Sequence, residues 1–180
     1  MAMTPPTGSD ARECGSCSLC CKLMEVPWLD KPAGNWCRHV QMGHGCSIYE
    51  TRPEHCRGFR CGYLYWPQAG EHWFPARCKM MIYTLDNTRM VILVDPKTPN
   101  VWKLEPHYSD IKRWARGAAA SQTQQIVVQI GKRMIAILPD RDIDLGVLAE
   151  GEVIAIDRDE NGSYSARKCR ADDPDLSASG

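Results

Sequence analysis

The sequence lacks three features that would have indicated a type of partner or a location outside the cytoplasm. It has no surplus of charge, because 22 Lys and Arg balance 22 Asp and Glu, so we expect no nucleic-acid partner. No run approaches the ~20 apolar residues that a membrane span requires, so we expect no membrane partner. The first residues also lack a basic stretch followed by an apolar one, which predicts no secretory signal. We therefore expect a cytoplasmic protein with reduced thiols.

Catalytic motifs are also missing from the sequence. We find no glycine-rich phosphate loop, no Ser-His-Asp set, no paired acidic motif and no nucleophile elbow. A cysteine–histidine dyad stays open, because its partners need only meet in space. The sequence therefore favours a protein that is not an enzyme by itself.

What the sequence has in excess is cysteine, and the cysteines are concentrated in one half. Nine of the ten lie before residue 80, and four lie in the run CGSCSLCC at 14–21. In a chain without an expected export signal, thiols at this density indicate a metal site rather than disulfides. The predicted metal ligands are Cys14, Cys17, Cys20, Cys21, Cys37, Cys46, Cys56 and Cys61.

The spacing leaves the identity of the metal open. Cys14, Cys17 and Cys20 form C-x2-C-x2-C, the opening of a bacterial ferredoxin-type cluster motif. The fourth cysteine of that motif is absent at its usual place, so a distant cysteine would have to complete the set. Zinc also accepts four thiolates from local and remote pairs. The expected cofactor is zinc or iron, with a [4Fe–4S] cluster as an open alternative.

The arrangement of these cysteines resembles a bacterial cysteine-cluster (CxxCxxCC) family, described as zinc- or iron-chelating domain proteins. The block CGSCSLCC, the isolated Cys37 and the block GCSIYETRPEHCRGF at 45–59 each have a counterpart in the family pattern. The resemblance covers residues 14–61 and implies a metal or iron–sulfur site. Some relatives are larger enzymes linked to lysine methylation of flagellin, but this chain has no radical-SAM C-x3-C-x2-C triplet.

Three functions remain as expectations. The first is a metal-binding protein that chelates zinc or iron through clustered thiolates. The second is an iron–sulfur redox or enzyme component, related to flagellin lysine methylation. The third is a zinc-stabilised module that binds an unknown protein partner.

Other residues near the cysteines have a supporting role in this interpretation. Cys78 could be a core residue or a further ligand, and Cys169 is expected to be an exposed thiol. We expect the histidines next to cysteines to lie beside the ligands or at the surface: His39, His44 and His55. Thiolates bound to a metal keep negative charge, so nearby cations should compensate it. The candidates are Arg12, Lys22, Arg38, Arg52, Arg57 and Arg60.

Hydrophobic patterning predicts an α+β fold. We expect a loop-rich, metal-stabilised, Cys-rich half packed with a small antiparallel β-sheet and one main helix. The predicted division is a disordered N-terminus at 1–13, a Cys-rich zinc- or iron-chelating module at 14–78, a small α+β companion region at 79–168 and a tail at 169–180.

Individual elements follow from local patterns. Three hairpins are predicted where apolar runs flank turn residues. A helix is predicted from apolar residues at i, i+3, i+4, i+7 and i+8 from Ile111, with Ser109 as its N-cap. Short helical turns are expected after Cys17 and after Pro53. The hairpin strands are 81–85 with 90–94, 126–130 with 133–138, and 152–157 with 163–168.

Overall fold

The computed structural model describes residues 12–85, 88–121 and 125–173. Its helices are α1 (Cys20–Leu23), α2 (Glu54–Gly58), α3 (Gly62–Tyr65), α4 (Pro75–Cys78) and α5 (His107–Ser121). Its strands are β1 (Val40–Gln41), β2 (Gly45–Cys46), β3 (Met80–Leu85), β4 (Arg89–Val94), β5 (Gln125–Ile130), β6 (Arg133–Ile137), β7 (Asp142–Val147), β8 (Glu152–Arg158) and β9 (Tyr164–Arg170). The α+β class, the main helix and all three hairpins are confirmed.

The central sheet has five strands in the order β3-β4-β5-β6-β7. Adjacent strands of this sheet are antiparallel, except that β4 and β5 pair in parallel. A parallel pair needs a crossover connection, and α5 supplies it because the helix lies between these two strands in the chain. The sheet is therefore mixed at one pair, whereas β1–β2 and β8–β9 form separate two-stranded sheets.

Two local details differ from the expectations. Strand β7 was not predicted, although its apolar residues Ile143, Leu145 and Val147 alternate with Asp142, Asp144 and Gly146. The helix α5 begins at His107, so the prediction of Ser109 as its N-cap is wrong. The Ser109 backbone N–H instead donates to Glu105 Oε2 at 3.3 Å. A carboxylate at this end of a helix satisfies a free N–H group and interacts favourably with the helix dipole.

One apolar core joins the two halves of the chain. Leu19 and Leu23 of the Cys-rich half belong to the same cluster of buried residues as Ile82, Ile92 and Ile111. The segment 27–60 is different, since Lys31 and Cys37 are its only buried residues. Burial of apolar surface is the main favourable term in folding, so this segment has little of its own to hold it in place.

The ends of the described chain have defined contacts. Arg12 donates through Nη1 to the carbonyl of Tyr63 at 2.9 Å and to that of Trp66 at 3.2 Å. Residues 1–11 of the predicted disordered N-terminus (1–13) and residues 174–180 of the predicted tail (169–180) lie outside the described residues. None of the helices in the described ranges is long and apolar enough to cross a membrane.

Cys169 corrects an expectation, because it is 8% exposed rather than a surface thiol. Strand β9 runs two residues further than predicted, so Cys169 pairs with Val153 of β8. Its Sγ–H faces the Val153 carbonyl at 3.7 Å. The extension of the strand therefore turns this side chain inward, since side chains alternate between the two faces of a strand.

Candidate metal-binding site

Four of the predicted ligands surround one small cavity, and we call them the first thiol set. The cavity measures about 20 Å³ and is otherwise lined by Tyr63, Leu64, Phe74, Pro75 and Met81. None of these lining side chains carries a charge at neutral pH. The members of the first thiol set are Cys14, Cys17, Cys20 and Cys61.

Local structure explains how the first three of these thiols converge. A turn brings Cys17 back over Cys14, because the Cys17 N–H donates to the Cys14 carbonyl at 2.8 Å. Cys20 then opens helix α1. This helix is anchored by Leu19 and Leu23, which are 5% and 4% exposed. The apolar residues between the cysteines therefore fix the position of the thiols against the core.

Cys61 reaches the same cavity from a distant part of the chain. It immediately precedes α3, and the next residue, Gly62, lies against Ile82 of β3. A Cβ on Gly62 would meet Ile82 Cγ2 at 2.9 Å, so only glycine allows this approach. The N–H groups of Tyr63 and Ile82 form hydrogen bonds to the Cys61 sulfur. Such N–H···S bonds favour the thiolate and are typical partners of metal-bound sulfur.

The remaining predicted ligands form a second thiol set beside the first: Cys21, Cys37, Cys46 and Cys56. The Cys37 N–H donates to the Cys21 carbonyl at 2.9 Å, and the Cys37 carbonyl accepts from Val40 at 3.1 Å. Val40 pairs with Cys46 in the β1–β2 ladder. Cys56 lies in the first turn of α2, as the sequence predicts. The negative charges of the other three thiols act on Cys56.

Two cations lie among the second thiol set. Lys31 is 5% exposed, and its Nζ donates to the carbonyls of Lys22 and Met24. Burial lowers the pKa of Lys31, while the charges of Cys37 and Cys21 oppose that shift. Arg52 stacks on the Tyr49 ring, with its Cζ 3.6 Å from the ring centroid. Its Nε is buried and has no hydrogen-bond partner among the described residues.

The two sets meet at the adjacent residues Cys20 and Cys21. The Cys20 S–H donates to the Cys21 sulfur, which lowers the pKa of Cys21 to about 7, with further help from Lys31 and Arg52. The same hydrogen bond and burial raise the pKa of Cys20. Cys21 is therefore the thiol with the clearest thiolate character, and thiolates are both the nucleophiles and the metal ligands of proteins.

Burial dominates the other members of the first set. It raises the pKa of Cys61 to about 11, and the charges of Cys17 and Cys14 add to the rise. The pKa values of Cys14 and Cys17 are raised for the same main reason. These thiols hold their protons in the absence of a cation, because apolar surroundings and like charges both disfavour a thiolate.

The remaining cysteine of this half, Cys78, lies in the core and not at the cavity. Cys78 is buried in the core cluster, and its Sγ–H donates to the Met80 carbonyl at 3.4 Å. Burial raises its pKa to about 12. It does not line the cavity of the first thiol set. Its surroundings match the core interpretation that the sequence left open.

The thiols are neighbours but do not form a finished coordination shell. Within 12–85, 88–121 and 125–173, no group of three or more His, Cys, Asp or Glu side chains is arranged so that it could hold a metal ion. All ten cysteines are free thiols. His44 and His55 are exposed and His39 is partly exposed. Any metal would therefore have to draw the thiols together, with a rearrangement of side chains and loops.

Charge compensation includes two cations that the sequence did not indicate, because Lys31 acts on Cys21 and Lys79 acts on Cys17. Of the six predicted cations, Arg52 is the one whose charge lowers the pKa values of Cys14, Cys21 and Cys56. Lys31 was missed, since it lies six residues from the nearest cysteine in sequence and reaches the thiols through the fold. The sequence carries no signal for it, because the burial of Lys31 follows from the fold.

Lys22 has a structural partner instead of a sulfur. Its Nζ forms an ion pair with Asp95 Oδ2, and both side chains are 7% exposed. Burial raises the pKa of Asp95, but the hydrogen bond from Lys22 outweighs it and the net shift is downward. Asp95 directly follows β4, so this pair ties α1 and its cysteines to the end of the central sheet.

No protein-family model, curated protein or solved structure matches this chain.

Proposed function

We propose that this protein binds zinc or iron through its clustered cysteine thiolates. The observation that carries the proposal is the convergence of Cys61 with Cys14, Cys17 and Cys20 on one cavity, across more than forty residues of chain. Four thiols are the donor set that structural zinc and iron–sulfur sites use. We further propose a cytoplasmic location, where thiols stay reduced.

The surroundings of the thiols fit such a metal. The donors are soft sulfur atoms, which select zinc, copper(I) and iron–sulfur clusters over hard cations. Arg52 presents a buried Nε without a hydrogen-bond partner among the described residues, and a bound thiolate would supply an acceptor for it. When bound, the metal would supply a positive centre that keeps buried thiols deprotonated. The N–H groups at Cys61 and the cations at Cys21 would then orient and stabilise the sulfur atoms.

An iron–sulfur component is the second candidate function. Its supporting observation is that Cys61 provides the distant fourth thiol that C-x2-C-x2-C lacks. The size of the cavity points the other way, because about 20 Å³ is room for roughly one water-sized sphere. A single ion needs less room than a cluster of four irons and four sulfides, for which the walls of the cavity would have to move further. We therefore rank a single zinc or iron ion first.

Metal analysis under exclusion of oxygen tests the proposal. We expect at least one zinc or iron per chain in protein purified anaerobically. A colourless, zinc-loaded protein would exclude the iron–sulfur function, whereas broad visible absorption that bleaches on reduction would support it. A protein that binds no metal at any stage, and that is fully folded after exhaustive chelation, would contradict metal binding altogether.

A further inference from the structure

We propose that the eight thiols form two separate metal sites, one in each thiol set. This inference rests on the proposed function and adds which cysteines share an ion. The sequence of the CGSCSLCC block leaves open which of its four cysteines share an ion, and adjacent Cys20 and Cys21 can belong to separate ligand sets. The fold divides that block, since Cys20 lines the cavity with Cys61, while the Cys21 backbone is bonded to Cys37.

The geometry of each set supports the division. No member of the second thiol set lines the cavity that the first set surrounds. Cys61 approaches from α3 and β3, on the side of the apolar core. Cys46 and Cys56 approach from the β1–β2 hairpin and α2, in the segment that lacks a core. The most distant members of the two sets therefore belong to different structural elements.

Charge also distinguishes the two sites. Four thiolates around a divalent ion leave a net charge of about −2. Lys31 and Arg52 lie among the second set and offset that charge. The cavity of the first set has an uncharged lining, and backbone hydrogen bonds are the main effects that lower the pKa values of Cys17 and Cys61 against burial. One site thus has an apolar lining, and the other has two cations among its thiols.

Anaerobic titration of the metal-free full chain with cobalt(II) tests the division, with thiolate-to-cobalt charge-transfer absorbance as the readout. We expect wild type to saturate at two equivalents. Cys61→Ser and Cys56→Ser should each saturate at one equivalent, and the double variant should bind none. Cys169→Ser is the matched control, a buried thiol outside both sets, and should still bind two.

A competing chelator adds a second readout on the same proteins. We expect one equivalent to leave wild type quickly and the other slowly, because Cys37, Cys46 and Cys56 of the second set lie in the segment 27–60, which has little core to hold it in place. Cys56→Ser should lose the fast phase and Cys61→Ser the slow phase. Should either variant fail to fold, Cys14→Ser and Cys46→Ser replace them, since Cys14 is exposed and Cys46 is partly exposed.

The outcomes separate the two proposals. If Cys61→Ser and Cys56→Ser each abolish all cobalt binding, the eight thiols share one site, and the division is wrong while metal binding stands. If wild type saturates at one equivalent of cobalt, and Cys61→Ser or Cys56→Ser still binds that one equivalent, a single site exists and the division is also wrong. If wild type binds neither cobalt nor the native metals, the proposed function itself fails.

Discussion

At the scale of single residues, Cys21 should be the most reactive thiol of the metal-free protein. Its pKa is lowered to about 7, whereas burial raises that of Cys78 to about 12. Because the thiolate is the nucleophile, alkylation of Cys21 should accelerate as the pH rises through about 7 and then level off. Mass-spectrometric mapping after short iodoacetamide pulses at several pH values measures this order. Faster labelling of Cys78 than of Cys21 would contradict it.

Arg52 is one cause of the reactivity of Cys21 and can be tested on its own. Arg52→Met keeps much of the side-chain length and removes the charge, so the pKa of Cys21 should rise and its labelling midpoint should move to higher pH. Arg38→Met is the matched control, because Arg38 is exposed and contacts His39 rather than a thiol. An unchanged labelling midpoint in Arg52→Met would show that Cys20 and Lys31 are enough to lower the pKa of Cys21 without Arg52.

At the scale of elements, the contact between α3 and β3 positions Cys61. Gly62→Ala would bring a Cβ to 2.9 Å from Ile82, so the helix must move away from the strand. We expect a loss of about 1–3 kcal/mol in the free energy of unfolding, which is typical of overpacking. Metal bound by the first thiol set should weaken at the same time, because Cys61 moves with the helix.

Gly58→Ala provides the matched control for this substitution. Gly58 ends α2, and an added Cβ there meets nothing within 4 Å. Stability should therefore change little or rise by up to about 1 kcal/mol, because alanine restricts the unfolded chain. Urea denaturation of both variants makes the comparison. Equal stability of the two would mean that the α3–β3 contact is loose.

The helix α5 carries a buried carboxylate that links it to the Cys-rich half. Asp110 accepts from Trp73 Nε1 at 2.8 Å and lies 2.6 Å from His72 Nε2. Burial raises its pKa, but these hydrogen bonds and Arg113 outweigh it, so the net shift is below the usual 3.8. The carboxylate therefore contributes stability that is present above about pH 4 and is lost as pH falls through its lowered pKa.

Replacement of Asp110 by alanine should reveal that contribution. We expect Asp110→Ala to cost about 1–3 kcal/mol at pH 7, because it leaves the buried Trp73 N–H without an acceptor. The difference from wild type should narrow as the pH falls below 4. Asp140→Ala, at an exposed ion pair, should stay within about 0.5 kcal/mol of wild type. Urea unfolding of these proteins from pH 7 to pH 3 measures the comparison. A stability difference between wild type and Asp110→Ala that stays constant with pH would contradict the proposed contribution of the Asp110 carboxylate.

At the scale of the whole molecule, metal removal should affect one segment most. Residues 27–60 bury only Lys31 and Cys37, whereas residues on both sides belong to the common core. Metal-binding free energy acts as folding free energy where a core is lacking. We therefore expect chelation to abolish amide protection across 27–60, while β3 to β6 and α5 remain protected.

Hydrogen exchange of the full chain with and without chelator measures this directly. The Cys17→Ser variant extends the test to the predicted boundary near residue 79. Loss of protection in both halves together would mean that the metal and the sheet form one cooperative unit. Unchanged protection throughout would mean that neither the metal nor Cys17 holds the structure.

Local patterns in the sequence were enough to identify much of the fold. The hairpin strands, the apolar face of α5 and the short turns near Cys20 and Cys56 follow from periodicity and turn chemistry, which act over a few residues. The same holds for the eight candidate ligands, whose residue type and density already indicate thiolate chemistry. That chemistry remains a proposal.

Only the tertiary structure decided which distant residues meet. The parallel pairing of β4 with β5 and the ion pair of Lys22 with Asp95 both depend on contacts between segments far apart in the chain. The division of the CGSCSLCC block also depends on such contacts. Cys20 lines a cavity with Cys61, whereas the backbone of Cys21 is hydrogen-bonded to that of Cys37. Such contacts depend on packing and on the cost of loop closure, and neither is written in any short stretch of sequence.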